Sequence, residues 1–258
     1  MMSVVGQAAV LVVFPVVAAG AGAFAGALRR PSPKFTSGVQ HLAAGVVFAA
    51  VATEVLPELK AQGHLWATAV GFSAGVAVLL MLAAYTRRLE ATTAAPETTG
   101  DSPAQSTAAA PTARLPVGLL VAVGIDLLLD GLLVGLGVTL GSNQGLILTV
   151  ALTLEILFLG LAVCAELLEL GIARFRAASV AASLALATAL GAIGGAAVLG
   201  DASPTVLAAV LAFGAAALLY LVVEELIVEA HEQPDTPVLS ALFFLGFIAL
   251  FLLAEVGG

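Results

Sequence analysis

Apolar runs of about twenty residues, parted by short polar breaks, recur eight times along the chain. They cover Val4–Leu28, Thr36–Leu59, Leu65–Tyr85, Pro116–Leu140, Gly145–Leu170, Phe175–Leu199, Pro204–Ala230 and Val238–Glu255. A helix of that length crosses the hydrocarbon of a bilayer, so each run predicts one transmembrane helix. The expected fold class is all-α integral membrane with eight spans. The breaks carry turn chemistry. Arg29-Arg30-Pro31-Ser32-Pro33-Lys34 ends the first run, and Gly141-Ser142-Asn143-Gln144-Gly145 reads as a tight polar turn. Asp201-Ala202-Ser203-Pro204 sets a capping Ser before a first-turn Pro. Residues 87–115 differ. They hold Pro96, Pro103 and Pro111 among Thr, Ala, Ser and Gln, a composition that buries too little apolar surface to fold. A disordered linker is expected there, dividing spans one to three (1–86) from spans four to eight (116–258).

Composition agrees with the pattern. The chain is 61% hydrophobic and 10% charged, against about 25% charged in a soluble domain, so lipid is the solvent that explains it. The first run is too long for a cleavable signal peptide and leads directly into further spans. The single cysteine, Cys164, cannot form an intramolecular disulfide. A net charge of −8 argues against nucleic acid as a partner; the partner read from composition is the lipid bilayer. Basic residues then orient the chain. Arg29, Arg30, Lys34, Arg87, Arg88, Arg114, Arg174 and Arg176 lie on the odd-numbered connections, and only Lys60 lies on an even one. The basic side is expected to be cytoplasmic. Both termini are then extracytoplasmic and 87–115 cytoplasmic, and the plasma (inner) membrane is the expected location.

Charges inside apolar runs are costly and usually face a cavity or a partner. Asp126 and Asp130 stand four residues apart in Gly124-Ile125-Asp126-Leu127-Leu128-Leu129-Asp130-Gly131, on one helical face near mid-span. Glu155 has similar depth in the fifth span. Glu224 and Glu225 lie nearer the basic end of the seventh, and Glu54 nearer the far end of the second. No Lys or Arg lies at such depth, so internal salt bridges cannot neutralise these acids. Either they carry protons or a cation sits among them, and hard divalent cations take oxygen ligands. A lone acid such as Glu54 serves equally well as a protonated hydrogen bond between helices. Two acids on one face double that cost, which favours the cation for Asp126 and Asp130. Glu166 and Glu169 read as a solvated helix end. His41 and His231 stand at basic span ends, where a proton or metal could dwell, although helix-end solvation explains them more simply. Gly191, Gly194 and Gly195 allow close helix packing; packing tolerant of lipid is the simpler reading.

Two spans then resemble a known family. The second reads His41-Leu-Ala-Ala-Gly45 and ends Glu54-Val-Leu56-Pro57-Glu58; the seventh reads Glu224-Glu225-Leu226-Ile227-Val228-Glu229-Ala230-His231-Glu232. Both are similar to the ZIP (Zrt/Irt-like) divalent metal transporters of prokaryotic type, with Val228 in place of a proline. The resemblance implies eight helices, with spans one to three and six to eight as inverted repeats around spans four and five. It also implies a homodimer and elevator-like alternating access. The family's transport site lies between spans four and five. There Asp130-Gly131 matches the end of one motif, Asp126 stands where a His would be, and Leu127 and Leu129 replace Asn and Pro. Gly160-Leu161-Ala162 matches the tail of the other motif. Glu155 takes its first polar position, and Phe158 and Leu159 replace a Pro and a metal-binding Glu. The metal residues implied are Asp126, Asp130, Glu155, Glu225 and Glu224, and the pathway residues Glu54, Glu58, His41, Glu229 and His231. The lost prolines should straighten spans four and five.

The function expected is movement of a divalent cation of the zinc, manganese or iron class by alternating access, with the metal as substrate and no organic cofactor. An all-oxygen site suits Mn²⁺, Mg²⁺ or Fe²⁺ better than an imidazole-bearing one would. A relative moving protons or another solute, and a non-transporting scaffold or sensor, are the alternatives. No nucleophile–base pair, HExxH or phosphate loop points to an enzyme.

Overall fold

A computed structural model describes residues 2–29, 32–93, 115–231, 233, 234 and 236–257. Eight helices in it are long and apolar enough to cross a membrane. In chain order they are α1 (Val4–Leu28), α2 (Pro33–Gln62), α3 (Leu65–Thr93), α4 (Val117–Leu140), α5 (Ser142–Glu169), α6 (Arg174–Leu199), α7 (Pro204–Ala230) and α8 (Pro237–Gly257). Of the linker expected at 87–115, residues 94–114 lie outside the described residues. Its first residues extend α3 as far as Thr93.

Local chemistry sets the ends. Ser32 and Ser203 accept from the backbone N–H three residues on, at Phe35 and Val206, and each is followed by a first-turn Pro. Such a side-chain acceptor satisfies one of the donors a helix start leaves unpaired. Gly63, at φ 69°, closes α2 in the left-handed region that glycine occupies without a Cβ clash. The polar turn expected over Gly141–Gly145 is shorter than the sequence suggested. Ser142 to Gly145 already belong to α5, and Gly141 alone is non-helical, with its N–H donating to the Gly137 carbonyl at 3.0 Å. Polar residues fit a helix's first turn, where N–H groups lack intrahelical partners, so their polarity did not require a loop.

Among the described residues, helix irregularity falls in three places. α1 breaks at Val12, one turn before Pro15, whose missing N–H leaves the Leu11 carbonyl without its usual donor. α2 loosens into a π segment at Val51–Val55, where the Leu56 N–H reaches back five residues to the Val51 carbonyl just ahead of Pro57. α7 does the same at Leu221–Leu226 with no proline in it. α4 and α5 run without a break, as expected once their prolines are absent, so their carbonyls remain in the helix ladder.

The helices pack as two bundles. α1, α4, α5 and α6 form one, chiefly through α4 against α6 and α1 against α5. α2, α3, α7 and α8 form the other, through α2 against α8 and α3 against α7. A glycine sits at each of these four crossings. A Cβ at Gly131 would collide with the Thr188 carbonyl, at Gly22 with that of Leu157, at Gly45 with that of Phe243, and at Gly71 with that of Ala209. Lipid gives helices no hydrophobic reason to associate, so backbone approach over small residues carries the packing. Gly191 and Gly195 take part, lying against Leu128 and Leu132 of α4, which corrects the lipid-tolerant reading for those two; Gly194 faces open space.

Candidate metal site

α4 and α5 form an antiparallel hairpin about Gly141. Asp126 lies fifteen residues before that turn and Glu155 fourteen after it, so at a common rise of about 1.5 Å per residue they stand level. Asp130 is one turn nearer Gly141 on the face of Asp126. The hairpin brings the three acids together: one carboxylate oxygen of each lies within 4.8 Å of the others. Asp130 is 3% exposed and Glu155 2%. Among the described residues no donor reaches Asp130 Oδ2 or either oxygen of Glu155. A buried charge without a partner is strongly unfavourable, and the chain has no Lys or Arg between Arg114 and Arg174. The donor set is all oxygen and formally carries three negative charges, which fits a hard divalent cation.

A cavity of about 290 Å³ runs from Asp126 and Glu155 toward one face. Asp126, Glu155 and Glu225 line it at depth; Thr36, Gln40, Glu166 and Glu229 line it toward the face that bears the basic connections. On the other side of the acids the packing is close. Leu133 and Leu136 of α4 and Ile147, Leu148 and Leu152 of α5 are fully buried there.

Of the adjacent glutamates in the seventh span, Glu225 lines the cavity and Glu224 is exposed away from it. Glu229 accepts a hydrogen bond from Gln40 Nε2 at the cavity mouth. Beside them Ser37 Oγ donates to the Ala230 carbonyl at 2.7 Å, so the start of α2 is tied to the end of α7. His41 is buried, its Nδ1 2.8 Å from the Ser37 carbonyl. The Nδ1 of His231 lies 2.7 Å from the Ile227 carbonyl, and the two rings are 5.3 Å apart. A carbonyl only accepts, so each Nδ1 carries a proton and donates it. Glu54 and Glu58 lie toward the opposite face, away from the cavity; Gln62 Nε2 donates to Glu58 at 2.7 Å. Sequence reasoning passed over Gln40 and set Glu166 aside as helix-end solvation. It also missed Thr188, whose buried hydroxyl has no hydrogen-bond partner among the described residues where α6 crosses Gly131. A polar residue at a glycine crossing is the signal that could have marked it.

The candidate residues thus divide between the bundles. Asp126, Asp130 and Glu155 ride on α4 and α5; Glu54, Glu58, Glu224, Glu225, Glu229, His41 and His231 belong to α2 and α7. The family model described as ZIP Zinc transporter matches residues 88–254, well over half of the chain. The chain belongs to the ZIP family. The match takes in α4 to α7 and most of α8. Members of this family are transporters and not enzymes. Membership points to divalent metal as the cargo, and the trio of Asp126, Asp130 and Glu155 fits one. No curated protein matches the chain.

Proposed function

We propose that this ZIP protein carries a divalent cation through alternating access, with Asp126, Asp130 and Glu155 as its ligands and Glu225 as a fourth carboxylate. The observation that carries the reading is the clustered trio, in which buried oxygens of Asp130 and Glu155 meet no donor among the described residues and Asp126 and Glu155 line a cavity leading toward one face. Cavity access on one side and close packing on the other is what a carrier needs in either of its end states. In this reading the open face is the cytoplasm, both termini are extracytoplasmic and residues 87–115 are a cytoplasmic linker, because the basic connections share that side. The plasma membrane is the location.

The cation sits where three carboxylates share its charge, which offsets the cost of burying them. It leaves along the cavity past Glu225, then past Glu229 and His231 at the mouth. The site has diverged from the family pattern by losing its imidazole, so Mn²⁺ and Fe²⁺ are favoured over Zn²⁺. Two copies form the working unit.

The test is uptake of Mn²⁺, Fe²⁺ and Zn²⁺ into liposomes bearing the purified protein. Saturable uptake, abolished by Asp130→Ala, is expected. No uptake and no metal-dependent stabilisation at micromolar metal would refute the proposal. Proton flux without added metal would favour a proton carrier instead.

A further inference from the structure

α2 and α7 repeat one another in register. Each begins with a capping Ser followed by Pro, at Ser32-Pro33 and Ser203-Pro204. Each loosens into a π segment, beginning at Val51 and at Leu221. Glu54 follows Pro33 by twenty-one residues and Glu225 follows Pro204 by twenty-one; Glu58 and Glu229 follow by twenty-five. The two helices cross in opposite directions, since four spans, an even number, lie between them in the chain. Their packing partners interchange as well. α2 packs on α8 and α7 on α3, while α1 packs on α5 and α6 on α4. One two-fold relation, α1–α3 onto α6–α8 with α4 exchanged for α5, accounts for all four pairs.

Under that relation Glu54 stands to the outer face as Glu225 stands to the inner one. From the register we infer that Glu54 supplies the outward-facing site with the carboxylate that Glu225 supplies to the inward-facing one. The bundle of α2, α3, α7 and α8 then holds one docking carboxylate near each face, and Asp126, Asp130 and Glu155 pass between them. In the state described, buried Leu133, Leu148 and Leu152 pack on the outer side of the trio, and Glu54 is not in its cavity. The inference rests on the alternating-access reading above.

Two measurements on the full chain test it and keep the two readings apart. The first needs no metal. In a Cys164→Ala background, the introduced thiols are the only ones present. Asp126→Cys is paired with Glu225→Cys or with Glu54→Cys, in membranes treated with a short bifunctional thiol reagent. Both pairs should cross-link within one chain. Cross-linking of the Glu225 pair without the Glu54 pair overturns the inference. The second measures half-saturating Mn²⁺ at each face of oriented liposomes. Glu54→Gln should raise the outer value at least about ten-fold and leave the inner one unchanged, and Glu225→Gln the reverse, since even indirect partners of a metal site are worth 10–100-fold. Equal change at both faces, or none, overturns it. If the unsubstituted protein moves no metal, the transport reading fails and the cross-links still decide the role of Glu54.

Discussion

α4 and α5 carry Asp126, Asp130 and Glu155 on unbroken α-helix, whereas α2 and α7 carry Glu54, Glu224 and Glu225 where the helix loosens into π turns. The difference follows from what each pair of helices must do. Carboxylate oxygens that are to share one cation within 4.8 Å of one another need fixed spacing, and an intact ladder with glycine crossings at Gly131 and Gly22 supplies it. The π turns leave backbone groups poorly matched, which lipid does not tolerate unless they are buried or line a cavity. Their placement beside Glu54 and Glu225 marks the stretches where the second bundle can adjust. π turns within α-helices are frequent at functional sites for this reason.

The sharpest way to break the comparison is to remove the carboxylates held by α4 and α5. Asp130→Ala or Glu155→Ala should abolish metal uptake in cells that depend on the protein for it, read as loss of metal accumulation. Next in size is the contrast within the seventh span. Glu225→Gln should weaken metal binding roughly 10- to 100-fold, while Glu224→Gln, which lies outside the cavity, should leave titrations unchanged. The rigidity of the first bundle can be tested through its glycines. Gly131→Leu must push against the Thr188 backbone and should cost about 1–3 kcal/mol or more, read as a lower melting temperature in detergent. Gly194→Leu, which meets open space, should melt like the parent protein.

Acidity gives a smaller, graded effect. Protons and metal compete for the same carboxylate oxygens, so apparent metal affinity should fall as pH falls, measured by titration across a pH series. An affinity independent of pH would count against carboxylate ligation. The smallest effect expected is Val228→Pro. Proline inside a helix ordinarily costs about 3 kcal/mol, but Val228 occupies the register of Pro57, which α2 already accommodates just beyond its π turn. The substitution should therefore shift the melting temperature little; a loss comparable to Gly131→Leu would show that the two π turns are not equivalent.

Much of this was legible in the residues. Eight runs of apolar residues fixed eight helices because no other backbone arrangement of such runs satisfies its own hydrogen bonds in lipid. The spacing of Asp126 and Asp130 placed them on one face for the same reason, since helix geometry is local. Less legible was which side of a helix meets a cavity. Glu224 and Glu225 are adjacent and chemically identical, and only the packing of α7 distinguished them. Glu166 looked like a solvated helix end and lines the mouth of the cavity. Ser142 to Gly145 looked like a turn and begin a helix.

The sequence by itself determined the helices, their membrane setting and the depth of each acid, since these depend on hydropathy and on helix rise within one segment. Only the tertiary structure decided that Glu155 meets the two aspartates while Glu54 does not, that Gln40 belongs with Glu229, and that the acids divide between two bundles. Those facts depend on how close two backbones come, and that is set by pairs of small residues far apart in the chain, such as Gly131 with Thr188 and Gly45 with Phe243.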